Sequence, residues 1–132
     1  MNDFNYMAIV VAAMAAFVIS SVWYIVFDLR APDEESPDSN ADTGRPPVWK
    51  LLVEFVRSLV VAIVVAGFAS NLGIVDFTDG VQLGLAFWVG FPLVLLVGSV
   101  IWENVASRAA TIHAGDWLVK TVTIAVIVSV WQ

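Results

Sequence analysis

No cysteine occurs in the 132 residues of this chain, which excludes disulfides, thiolate metal sites and Cys nucleophiles and leaves the redox compartment undetermined. Charge is scarce too. Only 14% of residues are Asp, Glu, Lys or Arg while 60% are hydrophobic, and the mean hydropathy is +0.87, too apolar for an ordinary soluble domain of this size. Cations are the scarcest charge: six against twelve acids, a net charge of -6. Nothing resembles a basic nucleic-acid surface, so no nucleic-acid partner is expected. HExxH, GxSxG, Walker A and metal-ligand clusters are also missing from the sequence, so neither a catalytic residue, a cofactor nor a metal is expected.

Long apolar runs fill most of the chain. Four of them, near 6–27, 48–69, 81–102 and 112–131, are each long enough, at about 1.5 Å per residue, to cross a hydrocarbon core of about 30 Å. The expected fold is an all-α, four-helix integral membrane bundle forming a single domain over 1–132. All six basic residues (Arg30, Arg45, Lys50, Arg57, Arg108, Lys120) fall in or beside the first and third connections. Because Lys and Arg collect on cytoplasmic flanks, both termini are expected on the non-cytoplasmic side of a cell membrane. The first run has no Lys or Arg before it and exceeds a typical signal-peptide core, so it reads as a retained helix.

The connections differ in chemistry. Six of the twelve acids (Asp28, Asp33, Glu34, Glu35, Asp38, Asp42) sit in the first, 28–47. Its Asp, Glu, Ser, Pro and Gly bury too little apolar surface to offset ordering entropy, which predicts a mobile, acidic cytoplasmic loop ending at Pro46 and Pro47. The second connection carries Asp76 and Asp79, with Asp79 a candidate cap for the third span. The third, 103–111, is short enough to force an antiparallel hairpin. No internal repeat is evident.

Within the spans, Trp23, Tyr24, Trp49, Trp102 and Trp131 fall at predicted ends, where amphipathic aromatic rings prefer the headgroup region. Trp88 and Trp117 lie further in and read as packing residues or helix anchors. Ala8, Ala12, Ala16 and Ser20 recur every fourth position, and Gly80 and Gly84 form a GxxxG; both patterns permit close helix approach. Pro92 removes a backbone donor and predicts a kink.

Eight ionisable residues form the candidate site: Lys50, Glu54, Arg57, Glu103, Arg108, His113, Asp116 and Lys120. A fourth span of about 20 residues must contain His113, Asp116 and Lys120, and spacings of three and four place them on one helical face. Lys50, Glu54 and Arg57 share a face of the second span by the same spacing. Both faces enter from the cytoplasmic side, so crossed pairs of Glu54 with Lys120 and Arg57 with Asp116 are expected, with Glu103 and Arg108 extending the network. A charge near the bilayer centre costs about 2.5 to 3.5 kcal/mol on insertion scales, so such groups face a bundle interior or a wet cavity. The network therefore reads as a salt-bridged clamp or, alternatively, as a pathway for protons or ions, with His113 as a shuttle.

The final helix containing Ala114, Gly115, Asp116, Trp117, Leu118 and Val119, the early Ala-rich helix leading into Val22, Trp23 and Tyr24, and the four-span layout together resemble the small bacterial membrane proteins of the "domain of unknown function 1761" family. The resemblance implies an integral protein of a bacterial inner membrane and brings no activity or catalytic residues with it. The acidic first connection departs from the more aromatic segment expected there. The sequence points to a small, non-enzymatic membrane subunit, homo-oligomeric or accessory to a larger membrane assembly and in contact with the lipid bilayer. The alternative is a proton- or ion-coupled carrier or channel, a transporter acting as an oligomer; an intramembrane enzyme comes third.

Overall fold

The computed structural model describes residues 5–28 and 48–131, with Asp28 described by its backbone alone. The acidic connection 28–47, with Arg30 and Arg45, otherwise lies outside the described residues. Among those described there are four helices, each long and apolar enough to cross a membrane: Tyr6–Asp28, Val48–Leu72, Phe77–Trp102 and Ser107–Val130. No strand occurs among them. This is the make-up of a multi-pass, all-helical membrane protein.

Helix ends follow local chemistry. Asn5 accepts from the Ala8 amide at 3.1 Å, satisfying a first-turn donor. Its side-chain amide also donates to the Trp131 carbonyl at 3.0 Å, so the start of the first helix and the end of the fourth meet at one end of the bundle. The second helix stops at Gly73, whose φ of 70° suits a residue without Cβ. Bonds from Gly73 to the Ser70 carbonyl and from Ile74 to the Ala69 carbonyl complete a Schellman cap.

The third helix begins four residues earlier than the apolar pattern suggests. Asp76, extended at φ -120° and ψ 169°, is its N-cap and accepts from the Asp79 amide at 2.9 Å. Asp79, the expected cap, instead occupies the first turn, because a cap must precede the turn whose amides it satisfies. The fourth helix starts at Ser107, five residues earlier than expected, since Arg108 and Thr111 are tolerated in a helical turn at the membrane edge.

The fourth helix is the hub, packing against the first, second and third. Lipid tails are as apolar as Leu, so close backbone approach and polar contacts drive helix association in a bilayer. The Ala8, Ala12, Ala16 and Ser20 stripe is fully buried. Gly84 meets the fourth helix backbone to backbone: a Cβ there would lie 2.7 Å from the Val122 Cα. Both small-residue patterns therefore mark real contacts.

Pro92 sits in a π-helical stretch, Val89–Leu93, within the third helix, the local form of the expected kink. Beyond it, Val94–Trp102 contains no buried residue. It contacts the fourth helix, and a groove of about 500 Å³ opens between the second and third helices.

Candidate functional site: a charged cluster on the fourth helix

Lys120 is the centre of the cluster and is 3% exposed. Its ammonium lies 3.4 Å from Asp116 Oδ2, one turn back on the same helix, and 3.5 Å from Glu54 Oε2 on the second helix. Side chains lean toward a helix N-terminus, and the second and fourth helices run in the same direction. A lysine about 20 Å along one helix can thus reach a carboxylate about 9 Å along the other. Trp117 closes the site, with the Lys120 ammonium 4.1 Å from its ring centroid, a cation–π contact that strengthens where water is excluded.

Asp116 is more buried still, at 1%. Its Oδ1 accepts from the Ser20 hydroxyl at 2.8 Å, so Ser20 ties the first helix to the cluster as Glu54 ties the second. The expected pair between Arg57 and Asp116 does not form. Arg57 donates instead to Glu54 Oε1 at 2.9 Å, an i,i+3 contact, with its side chain 56% exposed and its guanidinium 6.0 Å from the Trp117 ring centroid. A local pair forms without ordering a second helix, and Asp116 already has two partners.

Around this core two indoles hold the fourth helix. Trp23 of the first helix donates to the Ile112 carbonyl and Trp88 of the third to the Ala114 carbonyl, each at 2.9 Å. They bracket His113, whose Nδ1 is hydrogen bonded to the Tyr24 hydroxyl. Gly115 makes the approach possible, because a Cβ there would lie 2.5 Å from Trp23 Cζ2. Trp23 and Tyr24, expected at the membrane interface, are half-buried anchors reading the fourth helix; Trp49, Trp102 and Trp131 remain exposed at helix ends. Trp88 is an anchor, as expected of its depth.

Every sequence-derived candidate in the described residues can thus be placed. Glu54, Arg57, Asp116 and Lys120 come together, with His113 linked to Tyr24 one turn from Asp116. Lys50 is exposed, its ammonium 5.7 Å from the Trp49 ring centroid. Glu103 and Arg108 are exposed at the hairpin, and among the described residues no ion pair joins either to the cluster. Ser20 was visible only as a small residue in a packing stripe; its position, one turn beyond Ala16 on the same face as the buried alanines, gives no sign of the carboxylate it meets.

A family profile for a protein of unknown function, DUF1761, matches residues 7–129. The chain belongs to the DUF1761 family. The match runs from the first helix through the fourth and so takes in every residue of the cluster. No curated protein and no solved structure matches the chain. Among the described residues no group of three or more His, Cys, Asp or Glu is arranged to hold a metal ion.

Proposed function

We propose that this DUF1761 protein is a non-enzymatic membrane subunit, homo-oligomeric or accessory to a larger assembly, in which the charged cluster clamps three helices together. One observation carries the reading: the buried Lys120 is met by two carboxylates, Asp116 and Glu54. An uncompensated charge in a bilayer is costly, whereas a cluster of two acids and two cations satisfied from within holds its helices in register. The unburied half of the third helix leaves an apolar face for a further protein subunit.

Orientation belongs to the same proposal. The distribution of Lys and Arg supports a cytoplasmic location for Lys50, Arg108 and the first connection, with both termini on the opposite side of a bacterial inner membrane. Single cysteines at position 50 and position 131, tested with a membrane-impermeant maleimide on intact cells, distinguish the sides: labelling at 131 alone agrees, and labelling at 50 alone reverses the orientation.

A proton- or ion-coupled carrier is the second reading, favoured by Ser58. One turn beyond Glu54 on the same helix, it is 3% exposed and its hydroxyl has no hydrogen-bond partner, so polar character continues inward past the ion pair. Native mass spectrometry of protein extracted gently from its own membranes tests the leading reading. A stoichiometric second protein, or a homo-oligomer whose proteoliposomes carry no flux, supports it; a homo-oligomer whose proteoliposomes carry a proton or ion flux abolished by Asp116→Asn replaces it with the carrier.

A further inference from the structure

The groove between the second and third helices has one charged group. Its walls are Val60, Val61, Val64 and Val65 of the second helix facing Phe87, Phe91, Pro92, Leu95 and Leu96 of the third, floored by Trp117 and Thr121 of the fourth. Thr121 turns its hydroxyl inward to the Trp117 carbonyl, so its polarity is satisfied within the helix. Arg57 remains, at the end of the groove nearest the start of the second helix. Its volume of about 500 Å³ falls within the range of about 300 to 1,000 Å³ that holds small ligands.

We propose that this groove is a lipid site, taking one acyl chain of an anionic phospholipid whose phosphate is met by Arg57 and Lys50. The spacing on the second helix supplies the ladder. Lys50 and Arg57 are seven residues apart on one face, about 10 Å along the axis. Val60, Val61 and Val64 continue that face, at three, four and seven residues beyond Arg57. A phosphate held by the two cations therefore delivers its chain along the valines into the groove. Arg57 has donors to spare: its contact with Glu54 uses Nη1, a guanidinium carries five N–H groups, and Glu54 is shared with Lys120.

A helix from a second copy fits the groove poorly. Close helix approach favours Gly, Ala, Ser or Thr at the contact, and of these only Thr121 lines the groove, on its floor between walls of Val, Leu and Phe. A flexible chain about one methylene thick has no such requirement.

The test uses the full chain in nanodiscs of mixed phosphatidylglycerol and phosphatidylcholine, released for native mass spectrometry to count retained lipids. One phosphatidylglycerol is expected to stay bound several-fold more often than phosphatidylcholine. Arg57→Gln should abolish that preference, Arg57→Lys should keep most of it, and Leu96→Trp, which fills the groove, should remove the retained lipid whatever its headgroup. Circular dichroism and thermal stability like those of the parent chain establish that each variant is folded. Equal retention of the two lipids, a preference that survives Arg57→Gln, or Leu96→Trp dispersing a dimer while the lipid stays would overturn the proposal.

Discussion

Residues 112–120 of the fourth helix and Val94–Trp102 of the third lie at the same end of the bundle, yet one is gripped from three sides and the other by almost nothing. Across their most apolar windows, 33% of the fourth helix is buried and 6% of the third. The more apolar helix is the less buried one. In water the order would be reversed, but in a bilayer apolar side chains gain little by leaving lipid for protein. What distinguishes the fourth helix is its stock of hydrogen-bonding groups and its tolerance of close approach: Asp116 and Lys120, the carbonyls of Ile112 and Ala114, and Gly115 beneath Trp23. Beyond Pro92 the third helix has none of these at a contact; no heavy atom stands within 4 Å of where a Cβ of Gly98 would lie.

The comparison breaks most readily at Lys120. Lys120→Met should destabilise the bundle by about 3 to 5 kcal/mol, because it leaves two carboxylates without their shared cation. Leu95→Ala, on the splayed half-helix, should change little, within about 0.5 kcal/mol. Unfolding in mixed micelles titrated with dodecyl sulfate measures both. Comparable losses at the two positions would show that the charged cluster holds nothing in place.

Close packing sharpens the same contrast. Gly84→Ala drives a methyl into the Val122 backbone and should cost about 1 to 3 kcal/mol, while Gly98→Ala should be neutral or slightly stabilising through helix propensity. Thermal denaturation of the pair, followed by cross-linking between cysteines placed on the third and fourth helices, reads both stability and separation. Trp23→Phe should follow at about 0.5 to 1.5 kcal/mol for the lost bond to the Ile112 carbonyl, with altered fluorescence as the remaining indoles repack.

The narrowest contrast separates two buried serines. Ser20→Ala removes the donor to Asp116 and should cost about 1 kcal/mol or more, since the acceptor is charged. Ser58→Ala removes a hydroxyl that has no partner and should be neutral or slightly stabilising. If Ser58→Ala instead lowers stability as much as Ser20→Ala, the hydroxyl has a role inside the cluster that the clamp does not require.

Much of the architecture was legible because its causes are local. Run length sets the four helices, and helical spacing puts Asp116 and Lys120 on one face. The pair between Glu54 and Lys120 followed from shared direction and depth. Long-range geometry was not legible. Arg57 could be drawn equally well to Asp116 or to Glu54, and only the position of Ser20, a helix away, decides which acid is already satisfied. Trp23 and Tyr24 have the composition and position of interfacial residues; that they turn inward depends on Gly115 beneath Trp23 and on His113 beside Tyr24, both in the fourth helix, which no feature of the first helix reports. The boundary of the third helix was missed because Asp76 and Asp79 are equally good caps by type, and the choice rests on which of them has extended backbone.

The central claim is that the second and fourth helices are joined through Glu54 and Lys120. A double-mutant cycle of Glu54→Gln, Lys120→Met and the two together, read as unfolding free energy in micelles, tests it most directly. A coupling energy within the range of about 0.5 to 3 kcal/mol typical of residues in one network is the predicted result, with the double variant less damaged than the sum of the singles. Strict additivity would mean that the two residues do not share a contact, and would contradict the clamp.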